Sequence, residues 1–257
     1  MTCNPALLTP INADTSAIVV GGGRSGQAAA RLLRRLGATV RLLERNAEKL
    51  PGGFTAWAAS EGVEILGGEH RREYFLDADI LIPSPGAAVS MLRPLLTPGE
   101  EPEIMAETEL AWRQLEGEPV LAVTGTSGKT TTISMCAAML EAQGLNVFLG
   151  GNIGTPLSEY VLARAEGRPR ADVLALELSS FQLQTCTTLR PRVAVLLNIS
   201  ANHLDYHKDM KEYIEAQDAS VPLSGRILPR RVRPGPARPA RTDEPASLRT
   251  AAGSVQG

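Results

Sequence analysis

The clearest chemistry in this sequence lies in a run of small and hydroxyl-bearing residues around one lysine, T-G-T-S-G-K-T-T at residues 124–131. A strand-like apolar segment (119–123) precedes the run and a helix-like segment (133–142) follows it, as a phosphate-binding loop requires. In such a loop, backbone N–H groups surround phosphate oxygens, the lysine meets the β- and γ-phosphates, and the next hydroxyl binds Mg²⁺. Val123 stands where the strict pattern has its first glycine, so this is a shorter variant. We predict a nucleoside-triphosphate site formed by Gly125, Thr126, Ser127, Gly128, Lys129, Thr130 and Thr131.

A second glycine-rich turn, G-G-G-R-S-G at residues 21–26, also follows a strand-like segment and precedes a helix-like one. Glu44 follows at the end of the next strand, where a ribose-binding acid lies in dinucleotide-binding folds. The pattern suits NAD(P), another nucleotide diphosphate, or a purely structural turn, and these alternatives stay open. The turn at 83–86 could bind a ligand through backbone N–H groups and Ser84, or be a tight turn only.

Two further polar segments follow strand-like runs. Glu177 ends an apolar segment and offers the oxygen donor that Mg²⁺ prefers, although a surface carboxylate is the simpler reading. The segment 198–207 holds two of the three histidines, together with Asp205. Because the carboxyl ends of parallel strands share one edge of a sheet, we expect these groups to lie near each other.

Short apolar runs alternate with helical patterns, which predicts an α/β protein with parallel sheets. We predict strands at 18–20, 39–43, 63–66, 80–82, 119–123, 147–149, 172–178 and 193–197, and helices at about 26–36, 104–115 and 133–142.

The domain organisation follows from breaks in composition. We predict a Rossmann-like domain at 1–117, a central P-loop ATPase-type domain at 118–220, and a disordered tail at 221–257. The tail holds seven Arg and six Pro against two acidic residues, and no aromatic residue. A solvated coil is the expectation for that composition, rather than a nucleic-acid or phospholipid contact.

Composition places few further limits. The chain has 257 residues, 43% hydrophobic and 21% charged, with a formal net charge of −2, so nothing global points to nucleic acid or an anionic membrane. We find no signal peptide and no apolar run long enough to span a membrane. The three cysteines have neither metal-ligand nor disulfide spacing. We expect a monomeric cytoplasmic protein with reduced thiols.

Taken together, residues 18–214 resemble the Mur ligase family, the ATP-dependent ligases of peptidoglycan precursor synthesis. The loop at 124–131 resembles the ATP loop of the whole family, folylpolyglutamate synthases included. The segments G-G-N-I-G-T-P-L (150–157) and E-L-S-S-F-Q-L (177–183) resemble its D-glutamate-adding branch. The resemblance implies a UDP-binding domain, a central ATPase domain and a third domain.

The resemblance also implies residue roles. Lys129 and Thr130 would hold ATP phosphates and Mg²⁺, with Glu177 and His203 as further Mg²⁺ ligands; Lys129, Glu177 and His203 would be catalytic. The substrate-binding residues would be Gly21, Gly23, Ser25, Gly26, Glu44, Ser84, Pro85, Gly86, Asn152 and Ser179.

The implied substrates are UDP-N-acetylmuramoyl-L-alanine and D-glutamate, with ATP and Mg²⁺. The alanyl carboxylate would accept the γ-phosphoryl group, and the amine of D-glutamate would then displace phosphate to form an amide.

The sequence departs from the family in three places. Asn202 stands where relatives carry Asp, and Gln217 where they carry a carbamoylated lysine that binds Mg²⁺. The remainder of the central domain and the third domain do not follow. A reading-frame change near residue 217 or a natural truncation would explain this. Three other readings stay open: a non-catalytic UDP-sugar-binding fragment, a Rossmann oxidoreductase, and another ligase of the same family.

Overall fold

Two parallel β-sheets follow each other along the chain in the computed structural model, which describes residues 9–198. The first sheet has the strand order β3-β2-β1-β4-β5 and the second has the order β7-β8-β6-β9. The first sheet consists of β1 (Ser16–Val20), β2 (Thr39–Glu44), β3 (Glu64–Gly67), β4 (Ile80–Pro83) and β5 (Glu103–Ile104). The second consists of β6 (Val120–Thr124), β7 (Val147–Gly151), β8 (Val173–Glu177) and β9 (Val193–Leu196).

Helices connect the strands and cover the sheets. They are α1 (Arg24–Arg35), α2 (Gly52–Ser60), α3 (Val89–Leu92), α4 (Glu107–Trp112), α5 (Lys129–Glu141), α6 (Leu157–Ala165) and α7 (Ser180–Gln184). Within residues 9–198, none of these helices combines the length and the apolar character that a membrane crossing requires.

The interior strand β1 is apolar because it is covered on both faces. In β1, Ala17, Ile18 and Val19 are fully buried although successive side chains point to opposite sides of the sheet. Each buried side chain of the size of valine or leucine stabilises the fold by about 1.5–3 kcal/mol. A continuous apolar run therefore marks a central strand.

One hydrophobic core extends from the first sheet to the second. Leu33 of α1, Leu110 of α4 and Leu157 of α6 are fully buried in the same cluster, which also contains residues of β1 and β8. The two sheets therefore pack together through helices, and α4 lies between them.

The α/β prediction with parallel sheets is confirmed. The helix predicted at 104–115 is wrong at its start, because Glu103 and Ile104 pair with β4 as an edge strand and the helix begins at Glu107. The domain limits stay a prediction, and the tail at 221–257 lies outside the described residues.

Candidate functional site

The glycine turn after β1 borders a cavity of about 510 Å³. Seven of the ten predicted substrate-binding residues line this cavity: Gly21, Gly23, Ser25, Glu44, Ser84, Pro85 and Gly86. Another of the ten, Gly26, is buried beneath the turn. A Cβ at Gly26 would lie 1.9 Å from the carbonyl oxygen of Gly21, so close packing of α1 against the turn requires glycine there.

The side chains of Ser84 and Glu44 hold this turn in place. Gly21 has a φ of +95°, a conformation that favours glycine, and its carbonyl accepts a hydrogen bond of 3.0 Å from Ser84 Oγ. The carboxylate of Glu44 accepts hydrogen bonds from the N–H groups of Gly22, at 2.7 Å, and Asn46, at 3.0 Å. The bonds from Gly22 and Asn46 lower the pKa of Glu44, so an ionised carboxylate stands at the mouth of the turn.

Three basic side chains that sequence reasoning missed also border this cavity: Arg24, Arg45 and His70. Burial lowers the pKa of His70, and nearby Arg45 lowers it further, although Glu44 opposes both effects. Arg24 and Arg45 could have been predicted, because each is adjacent in the sequence to a predicted site residue. The sequence does not indicate a role for His70, which follows β3 in a polar stretch.

The second glycine turn connects β6 to α5. Gly128 is the N-cap of α5 with a φ of +83°, and Gly125 has a φ of +136°. A Cβ at Gly125 would lie 3.0 Å from the carbonyl oxygen of Asn198. Both positions therefore require glycine for reasons of backbone geometry, and the turn directs the N-terminus of a 13-residue helix into the cavity beside it.

Lys129 and Asn198 stabilise the loop at residues 124–131, the predicted phosphate loop, through hydrogen bonds to its backbone. Lys129 Nζ donates to the carbonyl oxygens of Gly125, at 2.8 Å, and Thr126, at 3.3 Å. The side-chain amide of Asn198 accepts from the N–H of Ser127 and donates to its carbonyl, both at 3.0 Å, while the backbone carbonyl of Asn198 accepts from Thr126 N–H. Asn198 was predicted only as the first residue of the segment 198–207.

Glu177 is the point at which three predicted segments meet. Its carboxylate accepts from Thr130 Oγ1 at 2.6 Å and from Asn152 Nδ2 at 2.8 Å, and its side chain is almost fully buried. The Asn152 N–H also donates to the Glu177 carbonyl. A Cβ at Gly151 would lie 2.4 Å from that same carbonyl, so the glycine lets this turn approach β8.

The oxygen atoms of Thr130 and Glu177 suit a hard divalent cation. Mg²⁺ binds few protein oxygens directly and keeps substrate phosphates and waters as its other ligands. A hydroxyl and a buried carboxylate at the N-terminus of α5 match that requirement. Within residues 9–198, no group of three or more His, Cys, Asp or Glu side chains could hold a metal by itself. The third predicted ligand, His203, lies outside the described residues, as do Asn202 and Gln217.

A cavity of about 560 Å³ borders the phosphate loop. It is lined by Pro85, Thr126, Ser127, Gly128, Lys129, Thr130, Thr131, Asn152, Glu177, Ser179 and Phe181. Pro85 also lines the cavity of the first glycine turn, so the two predicted sites adjoin each other at this residue. Ser179 is the N-cap of α7 and forms a capping box with Gln182.

Comparison with protein families gives two matches. Residues 123–219 match the Mur ligase middle domain, and residues 14–67 match an FAD binding domain. The first match contains the phosphate loop, Asn152, Glu177 and Ser179. The second contains the glycine turn and Glu44.

Curated relatives match most of the chain. UDP-N-acetylmuramoylalanine–D-glutamate ligase of Nitratidesulfovibrio vulgaris (strain DSM 19637 / Miyazaki F) is 67% identical over 222 residues, which cover 84% of this chain and 50% of the relative. The ligase of the same name from Oleidesulfovibrio alaskensis is 60% identical, covering 84% and 48%. That of Lawsonia intracellularis is 53% identical, covering 77% and 44%. The chain therefore spans about half the length of the curated relatives it matches, and the predicted resemblance is confirmed.

Among solved structures, UDP-N-acetylmuramate:L-alanyl-gamma-D-glutamyl-meso-diaminopimelate ligase from Neisseria meningitides aligns with a TM-score of 0.47 at 21% identity. The alignment covers 82% of this chain and 69% of that one.

Proposed function

We propose that this chain, which carries a Mur ligase middle domain, provides the UDP-substrate and ATP sites of a D-glutamate-adding ligase. The proposed reaction joins D-glutamate to UDP-N-acetylmuramoyl-L-alanine and consumes one ATP. Relatives named for this reaction are up to 67% identical to the chain, over the part that they share.

One observation supports the proposal most strongly. Glu177 accepts from Thr130 at the phosphate loop and from Asn152 in the turn after β7. The buried carboxylate of Glu177 thus connects Thr130, which is expected to bind Mg²⁺ and nucleotide, with Asn152, which is expected to bind the muramoyl substrate. A phosphoryl transfer between two bound molecules needs this proximity, because orientation supplies a large part of the rate.

The proposed chemistry has two steps. An oxygen of the L-alanyl carboxylate attacks the γ-phosphorus, ADP leaves, and an acyl phosphate forms. The amine of D-glutamate then attacks the acyl carbon, phosphate leaves, and the amine loses a proton as the amide forms. The first step is required because an unactivated carboxylate has a poor leaving group.

The chain's own residues orient and neutralise charge in this scheme. Lys129, released from the carbonyls of Gly125 and Thr126, would donate to phosphate oxygens as negative charge spreads over them. Mg²⁺, when bound, neutralises phosphate charge, and Thr130 and Glu177 would hold it. Asn152, fixed by Glu177, would orient the substrate end that carries the reacting carboxylate.

We assign the UDP group to the cavity of the first glycine turn. The ionised Glu44 suits ribose hydroxyl donors, and Arg24 and Arg45 on the rim suit the diphosphate. Pro85 borders both cavities, so a substrate bound through UDP can extend toward the phosphate loop. Because ATP and the UDP-linked substrate are cytoplasmic metabolites, we place the proposed reaction in the cytoplasm.

Calorimetric titration of the full chain tests the proposal. We expect wild type to bind UDP-N-acetylmuramoyl-L-alanine and Mg²⁺–ATP, and Lys129→Ala to retain only the UDP substrate. Failure of wild type to bind the UDP substrate would overturn the assignment.

A second candidate is a dinucleotide-binding protein, which the match of residues 14–67 to an FAD binding domain favours. Binding of FAD or NADH that UDP does not displace would support it. Phosphate release measured with and without D-glutamate separates ligation from binding alone, since a non-catalytic binder releases none in either case.

A further inference from the structure

Helix α4 buries three consecutive polar side chains between the two sheets. Glu107, Thr108 and Glu109 are 4%, 0% and 0% exposed. Burying a polar group costs free energy unless the group forms hydrogen bonds. The hydrogen-bond partners of these three side chains therefore indicate which parts of the structure the helix positions.

Glu109 anchors α4 to the chain that leads into β9. Its carboxylate accepts from Thr188 N–H at 2.9 Å, Thr188 Oγ1 at 2.6 Å, Leu189 N–H at 3.1 Å, and also Thr187 Oγ1. Arg113 completes an ion pair with it at 3.0 Å. With so many donors on one buried carboxylate, α4 is fixed relative to the second sheet.

Thr108 begins a chain of hydrogen bonds that leads to the phosphate-loop cavity. Its Oγ1 accepts from Gln182 Nε2 at 3.0 Å. Gln182 Oε1 in turn accepts from both the N–H and the Oγ of Ser179, each at 3.0 Å. Ser179 lines the cavity together with Asn152 and Glu177.

The amide of Gln182 is oriented from both ends. Its NH₂ group donates to Thr108 and its oxygen accepts from Ser179. A flipped amide would place the NH₂ donor next to the Ser179 N–H, which is also a donor, and that hydrogen bond would be lost. The orientation of Gln182 therefore fixes the direction in which the Ser179 hydroxyl donates its proton.

We infer that Thr108 is a positioning residue, which acts through Gln182 to hold Ser179 at the lining of the phosphate-loop cavity, with its hydroxyl proton on Gln182 and its oxygen available to accept a hydrogen bond from the substrate. The inference rests on the proposed function, since the ligand that Ser179 meets is taken to be the muramoyl-alanyl end of the UDP substrate. Thr108 itself lies outside the cavity linings of both glycine turns.

Binding measurements on Thr108→Val and Thr108→Ser test this role. Valine keeps the shape but leaves Gln182 Nε2 without its acceptor, so we expect affinity for UDP-N-acetylmuramoyl-L-alanine to fall about tenfold. Affinity for UDP alone and for ATP should stay within about twofold, since neither ligand needs Ser179 oriented. Serine keeps the hydroxyl and should restore wild-type affinity. An equal loss for UDP and for the complete substrate would overturn the inference, because it would indicate a general disturbance.

A double-mutant cycle isolates the route through Ser179. In a Ser179→Ala background, Thr108→Val should have no further effect on substrate affinity. An undiminished effect there would contradict the proposed connection.

Amide hydrogen exchange tests the same connection without any ligand. In Thr108→Val, the Ser179 N–H should exchange about tenfold faster, with Gly22 N–H as an unaffected reference. Unchanged protection of Ser179 would overturn the inference. If exchange responds but wild type binds no UDP substrate, the substrate assignment fails while the positioning role stands.

Discussion

The two glycine-rich turns have the same position in their sheets but differ in the side chain that accepts a hydrogen bond from the turn's backbone. Each turn follows an interior strand of its sheet, β1 or β6, and precedes a long helix, α1 or α5. In the first turn, the carboxylate of Glu44 accepts the N–H of Gly22. In the second, the neutral amide of Asn198 accepts the N–H of Ser127, and Lys129 adds a positive charge.

This difference indicates what each turn can bind. Two unit charges 4 Å apart interact by about 1 kcal/mol in water and by several times that near a protein surface. A carboxylate on the loop opposes a triphosphate but suits hydroxyl donors, whereas a neutral amide and a lysine suit phosphate. We therefore propose that the backbone of each turn binds a nucleotide, and that Glu44 or Asn198 determines which part of the nucleotide lies against it.

The largest expected effect comes from filling the space under the first turn. Gly26→Ala would place a methyl group 1.9 Å from the Gly21 carbonyl oxygen, so the turn and α1 cannot keep their packing. We expect a loss of about 3 kcal/mol in the free energy of unfolding, measured by urea denaturation.

The matched control for Gly26 lies three residues earlier. A Cβ at Gly23 meets nothing within 4 Å, and its φ of −68° suits alanine. Gly23→Ala should therefore change stability by less than about 1 kcal/mol. Equal destabilisation by both variants would refute the steric account.

Lys129→Ala removes the charge that distinguishes the second turn. We expect ATP affinity to fall about 100-fold, because charge-assisted contacts to phosphate are lost. Lys49→Ala removes the same charge from an exposed position and should leave ATP affinity unchanged. Calorimetry on both variants measures the difference, and similar losses would indicate only a general electrostatic effect.

Asn198→Asp gives the second turn the kind of acceptor that the first turn has. The aspartate can accept from Ser127 N–H but cannot donate to its carbonyl, and it adds negative charge beside the phosphates. We expect about a tenfold loss of ATP affinity, larger than that of Asn198→Ala. If alanine is the more damaging substitution, charge is not what separates the turns.

The pH dependence of stability in Glu44→Gln tests whether the ionised Glu44 carboxylate stabilises the first turn. The N–H groups of Gly22 and Asn46 lower the pKa of Glu44, so its ionised form stabilises the folded state. That contribution is complete above the unfolded value of about 4.5 and is lost as the pH falls through the lower folded value. The stability difference between wild type and Glu44→Gln, followed by urea unfolding from about pH 6.5 downward, should shrink below about pH 4.5. A constant difference would contradict the assigned cause.

The sequence predicts the strands better than the short helices. Buried parallel strands such as β1 and β8 carry continuous apolar runs, so tertiary packing and local pattern agree. Helix α2 begins with two glycines and α7 has five residues, so neither shows a clear helical period. The edge strand β5 has two residues, which is too short for alternation to be visible.

At the candidate site, the sequence indicated residues at strand ends, and the structure adds the side chains that hold them. The loop motif predicted Lys129 and Thr130, whereas only the family resemblance implied a role for Glu177. The surface position that the residues alone favoured for Glu177 is wrong, because its side chain is buried. The buried Glu-Thr-Glu of α4 was not, because three polar residues in a row resemble a surface helix. Only tertiary contacts, such as that of Thr108 with Gln182, reveal their purpose.

We propose that Glu177 brings together the side chains that bind Mg²⁺, nucleotide and substrate, and the Mg²⁺ dependence of ATP binding tests this role most directly. Wild type should bind ATP about tenfold more tightly with Mg²⁺ than with EDTA, and Glu177→Gln should lose that gain while still binding free ATP. An equal Mg²⁺ dependence in the two proteins would contradict the claim.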